Sequence, residues 1–212
     1  MATIIACVSQ KGGVGKSTIT RLVARELAAN GFKTLIADLD QKQMSSTEWV
    51  RRRNAAAQEP TIDAQPVARL DRAPVAAYEA VVIDGKPHSD ADTKEAAKLA
   101  DLVLLPTGDT LDDLKPTVLL AHELVKAGVV GQRIAFVLCR TKSSEARLAT
   151  TRDYIAQAGY ECLRGDLADR AGYADAQDSG RAVTETKHAS LNQRADEVAQ
   201  AIADKLAALQ ED

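Results

Sequence analysis

Aromatic side chains are scarce in this 212-residue chain, which has one Trp, four Tyr and two Phe. A core built without them must come from Val, Leu, Ile and Ala. Binding of single-stranded nucleic acid by stacking bases on aromatic rings is disfavoured as well. Cysteine is nearly as sparse. Cys7, Cys139 and Cys162 are odd in number and lack C-x-x-C spacing, which argues against a disulfide framework or a zinc ribbon. Cys7 and Cys139 each lie inside an apolar run and read as small buried hydrophobes. No run approaches the roughly 18 apolar residues of a membrane span. Residues 1–6 lack both the basic start and the apolar length of a signal peptide. An excess of either charge is missing too, since 27 basic residues face 30 acidic ones for a net charge of -3. That excludes a globally polycationic chain and leaves room only for a local basic face. The expected compartment is the cytoplasm.

Against these absences stands a regular alternation of patterns. Short apolar runs at residues 3–8, 33–37, 80–83, 102–105 and 134–138 read as strands, with a weaker one at 161–164. Helical periodicity fills the intervals. Residues 17–29 place Ile19, Leu22, Val23 and Leu27 on one face and stop at Gly31. Residues 115–126 stop at Gly128, and 145–158 at Gly159. Residues 191–209 carry Val198, Ile202, Leu206 and Leu209 at helical spacing. Strands separated by helices of this length imply an α/β fold, a mostly parallel twisted sheet flanked by helices on both faces. The near-continuous Val/Ile/Leu runs fit strands buried on both sides. Residues 55–74 have the least pattern and read as an excursion between two strands. Nothing in composition divides the chain, so one domain over residues 1–212 is expected.

The sharpest signal follows the first strand, where Gln10, Lys11, Gly12, Gly13, Val14, Gly15, Lys16, Ser17 and Thr18 lead into the first helix. Glycines let the backbone curl so that several N–H groups converge on phosphate oxygens, and the helix adds its positive N-terminus. Lys16 is placed to reach the β- and γ-phosphates and the Ser17 hydroxyl to ligate Mg²⁺. The general phosphate-loop pattern asks for Gly where Gln10 stands, and a second lysine, Lys11, lies inside the loop. These residues predict a P-loop NTPase.

Lys11-Gly12-Gly13-Val14-Gly15-Lys16-Ser17 resembles the deviant Walker A motif of the ParA/MinD ATPases, a group that includes nitrogenase iron protein and arsenite-pump ATPases. Asp38-Leu39-Asp40 is similar to that family's Walker A′ segment, and Val81-Val82-Ile83-Asp84-Gly85 to its Walker B. Residues 170–176, followed by Gly180 and Glu185, resemble the closing region of small ParA proteins. The resemblance implies ATP and Mg²⁺ as ligands, an ATP-dependent homodimer, and slow hydrolysis stimulated by a ParB-like or other adaptor. It implies nucleotide contacts from Lys11, Gly12, Gly13, Val14, Gly15, Lys16, Ser17 and Thr18, with Lys11 reaching the partner's phosphates. Asp40 would orient or activate the attacking water, Asp84 would hold the Mg²⁺ shell through water beside Ser17, and Asp38 would assist either role.

Small ParA proteins bind DNA non-specifically in the ATP dimer, which implies partition of a plasmid or chromosome, or positioning of another cargo, from the nucleoid. The chain begins at its phosphate-loop strand, so no operator-binding domain is expected. Candidate contacts to duplex phosphates are Arg147, Arg152, Arg164, Arg170, Arg181, Lys187 and Arg194. No basic stripe shows there, because residues 140–194 hold nine basic and eight acidic residues. Arg51-Arg52-Arg53 is a tighter cluster that reads equally well as a solvated helix face.

Three departures from the family pattern stand out. Gln41-Lys42-Gln43 follows Asp40 where the family has Pro-Gln. Lys86 follows Gly85 and reads either as a group near the γ-phosphate or as a solvated loop lysine. Leu138-Cys139-Arg140 occupies the place of an asparagine that contacts the base, and cysteine cannot reproduce amide pairing with adenine. Competing readings are a conjugation accessory ATPase resembling ParA and an ATP-dependent ligase resembling dethiobiotin synthetase. The acidic end of the chain, through Asp212, would be repelled by anionic lipid, so a membrane-bound MinD-like role is not expected.

Overall fold

The computed structural model describes residues 2–87 and 90–211; Met1 and Asp212, included above in the two ends of the chain, lie outside them. The elements follow as β1 (Thr3–Cys7), α1 (Lys16–Ala29), β2 (Thr34–Asp38), α2 (Ser45–Ala55) and β3 (Asp63–Pro66). Next come β4 (Ala80–Asp84), α3 (Asp90–Leu99), β5 (Leu102–Thr107), α4 (Leu111–Lys126) and β6 (Ile134–Thr141). The chain closes with α5 (Glu145–Gln157), β7 (Glu161–Cys162), β8 (Leu167–Ala168), α6 (Ala171–Asp178) and α7 (Ala189–Glu211).

The strands pair in the order β3-β2-β4-β1-β5-β6-β7, with β8 also on β6, and these pairings are parallel. Unbroken apolar sequence in the central strands is what allows both faces to be covered. Along β1, Ile5 and Cys7 enter a layer with Ile19, Leu22, Trp49, Val198 and Ile202 from α1, α2 and α7. Ala6 enters the opposite layer with Ala97, Leu120, Leu124 and Leu148 from α3, α4 and α5. The fold is the expected P-loop NTPase architecture.

Sheet order reverses at β1. The chain first moves out past β4 to β2 and β3, then returns and continues through β5 and β6 on the other side. Ligand crevices in open parallel sheets form at such a reversal, beyond the carboxyl ends of the strands. The loop after β1 and the ends of β2 and β4 meet there.

Helices α3 and α6 and the short strand β8 have no counterpart among the periodic runs of the sequence, and three further elements depart from expectation. Helix α4 starts at Leu111 rather than at 115, with Pro116 inside it, because a proline near a helix start imitates a first-turn proline. The unpatterned stretch 55–74 carries β3, an edge strand whose Asp63 and Gln65 are exposed and which ends on Pro66. Such an edge strand buries too little to show an apolar period. Helix α2 carries Arg51–Arg53, for which a helix face is one of the two sequence readings, but it shows no apolar period because its buried apolar side chains are only Trp49 and Val50.

Candidate nucleotide-binding site

The loop from β1 to α1 ends on Gly15, which stands at φ +107 as the helix N-cap, and no side chain caps the first turn. The amides of Lys16, Ser17 and Thr18 are thus left for an anion. Glycine is required at this point for space as well as for φ. A β-carbon on Gly15 would come within 2.9 Å of Cys139 Cβ and 3.1 Å of its Sγ. The end of β6 therefore buttresses the loop. Lys16 Nζ donates to the Lys11 carbonyl at 3.2 Å, folding back over the loop. Burial lowers its pKa, against the pull of Asp84 and Asp40 in the other direction.

Lys11 turns to the other flank. Its ammonium pairs with the Asp113 carboxylate on α4 and lies 3.5 Å from the Asp112 carbonyl. Pro116 has no N–H, so that carbonyl lacks its helical donor. The Lys11 side chain remains 46% exposed.

Asp84, at the end of β4, is buried, and its Oδ2 accepts the Ser46 hydroxyl at 2.6 Å. Its Oδ1 has no partner among the described residues. Burial pushes the Asp84 pKa up to about 6, against the Ser46 hydrogen bond and the nearby Ser17 hydroxyl, while the Asp38 charge adds to the rise. An orphaned carboxylate oxygen beside a serine hydroxyl suits a hard, oxygen-seeking divalent cation. No cluster of three or more His, Cys, Asp or Glu side chains suited to a metal gathers among the described residues. A cation here would be completed by ligand oxygens and water.

Asp38 is fully buried. Its Oδ1 accepts the Asp40 N–H at 3.1 Å, and its Oδ2 accepts the N–H groups of Ser46 and Thr47 at 3.1 and 3.0 Å and the Thr47 hydroxyl at 3.2 Å. Those donors commit it to holding the start of α2, where a carboxylate also matches the helix dipole. Asp40 is half-buried, and its Oδ1 accepts the N–H groups of Lys42 and Gln43 at 3.1 and 3.0 Å. The aspartate thus shapes the turn that lacks the family's proline.

Helix α2 is fixed at its far side by Trp49 and Arg53. Trp49, the single tryptophan, is fully buried and donates Nε1–H to the Arg181 carbonyl at 3.1 Å. The Arg21 and Arg53 guanidinium carbons lie 5.8 and 5.5 Å from its ring centre. Arg53 is buried and donates to the carbonyls of Glu59, Pro60 and Gly180 and to Glu185. Of the Arg51–Arg53 cluster, only Arg51 and Arg52 face solvent.

A cleft of about 300 Å³ gathers Gly12, Gly13, Gly15, Lys16, Ser17, Thr18, Asp38, Asp40 and Asp84, with Gln43, Ser45 and Arg140 added from other segments. Val14 is buried under the loop, and Lys11 lines a separate hollow with Asp113. Lys86 pairs with Asp92 instead of lining the cleft. Among the candidate basic contacts, Arg164 is paired to Asp204 at 2.7 Å and Arg194 to Asp166 at 2.5 Å, while Arg152 donates to the Gly165 carbonyl. Arg147, Arg170 and Lys187 are exposed, and Arg181 is partly buried. Ser46 escaped the sequence reading, although a Ser-Ser-Thr run after an aspartate pair is a helix-start signal. Arg140 carries no sequence signal of its own beyond following Cys139, the residue that cannot pair with adenine as an amide does.

A family model described as the CobQ/CobB/MinD/ParA nucleotide binding domain matches residues 5–183, which include the loop, both aspartate segments and Arg140. The chain belongs to this family. No curated protein matches its sequence. Solved structures of other proteins share its fold across nearly the whole length. The septum site-determining protein MinD from Pyrococcus horikoshii OT3, complexed with Mg-ADP, is 20% identical with a TM-score of 0.76, covering 98% of each chain. A plasmid partition protein from Borrelia burgdorferi is 18% identical with a TM-score of 0.69, covering 96% of this chain and 99% of that one. The ATP complex of McdA from Cyanothece is 16% identical with a TM-score of 0.69, covering 95% and 96%. No helix of the described residues is long and apolar enough to cross a membrane.

Proposed function

We propose that this chain is a ParA-type ATPase in which Mg-ATP controls association with a second copy and with duplex DNA. One observation carries the reading: the uncapped start of α1 lies beside the partnerless Asp84 oxygen, while Lys11 leaves the loop on its outer flank. The amides of the loop and of Lys16, Ser17 and Thr18 hold the phosphates, and Lys16 exchanges the Lys11 carbonyl for a phosphate oxygen. Ser17 and, through water, Asp84 would hold Mg²⁺, which would supply charge neutralisation at the phosphates. Asp40 orients the attacking water, and Asp38 keeps its turn in place from below. Lys11 gives up Asp113 and reaches the partner's phosphates, where a cation delivered across the interface stabilises developing charge.

Hydrolysis, slow alone and stimulated by a ParB-like or other adaptor, separates the copies and releases DNA at the nucleoid. Contact with DNA runs through backbone phosphates and is salt-sensitive. The test measures sedimentation and binding to random duplex DNA with ATP, ADP and no nucleotide, at two salt concentrations. The expected result is dimerisation and DNA binding with ATP alone, both weakened in Lys11→Ala. Tight ATP affinity without association or DNA binding would favour a ligase-like enzyme instead.

A further inference from the structure

Arg140 adopts a backbone conformation that a long side chain rarely takes, φ +55 near the end of β6. Such strain persists only where the surroundings impose it, and it concentrates at functional sites. Two contacts impose it here. The preceding residue, Cys139, is wedged against Gly15. The Arg140 guanidinium then donates through Nη1 to the Gly13 carbonyl at 2.7 Å. Gly13 is itself left-handed, at φ +73, and a β-carbon on it would lie 3.5 Å from Arg140 Nη1. Arg140 also lines the same cleft as Lys16, Ser17, Asp40 and Asp84.

We propose that Arg140 is a positioning residue for the phosphates of a nucleoside di- or triphosphate, acting through its clamp on the Gly13 carbonyl. The inference rests on the nucleotide-binding reading above. In a trans peptide the C=O and the following N–H point in opposite directions. Holding the Gly13 oxygen therefore fixes the direction of the Val14 amide, in the loop that receives the phosphates. A guanidinium is suited to the task, because its planar set of donors is rigid and its charge permanent. It also adds a cation to the cleft wall opposite the carboxylates. Strain at φ +55 is the cost of bringing that cation over the loop.

The test uses Arg140→Gly, Arg140→Ala and Arg140→Lys in the full chain, with ADP as the probe, with and without Mg²⁺. The readouts are the ADP dissociation constant by calorimetry and the thermal midpoint without nucleotide. Glycine removes both the guanidinium and the strain; alanine removes the guanidinium but keeps a β-carbon at the strained φ. Both variants are expected to bind ADP about ten-fold more weakly, as for loss of a charge-assisted hydrogen bond. Lysine restores part of the affinity. The glycine variant melts no lower than the wild type and above the alanine variant. ADP affinity within about two-fold of wild type in both variants would overturn the proposal. Weakening in the glycine variant alone would overturn it too, since loop shape and not the guanidinium would then decide. A glycine variant that melts below the wild type would make Arg140 a fold-holding residue. A wild-type chain that binds neither ADP nor ATP would instead remove the nucleotide reading itself.

Discussion

The Ser46 hydroxyl donates to Asp84 Oδ2 at 2.6 Å, joining the first turn of α2 to the end of the central strand β4. Ser46 is the one side-chain donor to that oxygen among the described residues, and both side chains are buried. Ser46→Ala would leave a second Asp84 oxygen without a donor. A loss of about 1–3 kcal/mol in unfolding free energy is expected, as for an unsatisfied buried acceptor. Urea denaturation measures it, and an unchanged midpoint would show that Asp84 has found another donor.

The two loop glycines Gly12 and Gly15 should respond in opposite ways to alanine. Nothing lies within 4 Å of a β-carbon on Gly12, whereas one on Gly15 meets Cys139 at 2.9 Å and sits at φ +107. Gly12→Ala should melt within about 2 °C of the wild type, a shift worth no more than ~1 kcal/mol in a chain of this size. Gly15→Ala should be destabilised by at least ~1–3 kcal/mol and lose nucleotide binding. Equal behaviour of the two variants in thermal melts and calorimetry would contradict the wedge at Cys139.

On the proposed reading, the Lys11–Asp113 pair would set a threshold for association. Side-chain exposures of 46% and 21% make it a surface pair, and such pairs contribute at most about 1 kcal/mol. Asp113→Asn should therefore lower the ATP concentration for half-maximal dimerisation by up to about five-fold. Lys11→Ala should keep the fold and lose ATP-dependent association. Sedimentation over an ATP series separates these outcomes.

Glu185 joins α2 to the segment before α7, and its pKa is held below the ordinary glutamate value. Burial raises it, but hydrogen bonds from Arg53 and the Ala182 amide, with the charges of Arg53 and Arg25, outweigh that effect. A carboxylate whose folded pKa is depressed stabilises the fold above its unfolded pKa, and loses that contribution as pH falls through the folded value. The stability gap between wild type and Glu185→Gln should be constant near neutral pH and shrink below about pH 4.5. Denaturation at a series of pH values tests this, and a gap that widens on acidification would refute it.

The parts that sequence made legible are those whose chemistry is local. The strands β1, β2, β4, β5 and β6 announced themselves as unbroken apolar runs, because both their faces are covered. Gly15-Lys16-Ser17 announced a phosphate loop, because that chemistry needs adjacent residues. What stayed hidden depends on distant partners. Arg53 looks like a surface arginine until Glu59, Pro60, Gly180 and Glu185 converge on it. Asp38 looks like a cleft carboxylate until the Asp40 amide and the start of α2 occupy its oxygens. Arg140 carries no periodic pattern, and its contact with Gly13 spans 127 positions of the chain.

The placement of Trp49 turns the protein into its own optical instrument. A single indole, shut off from water and flanked by two guanidinium groups, reports on α2 and the groups packed against it. That helix begins at the turn governed by Asp38 and Asp40. Rearrangement of the turn would reach the indole through about one turn of helix and change the wavelength or intensity of its emission. Nucleotide exchange could then be followed by stopped-flow fluorescence on the unlabelled wild-type chain.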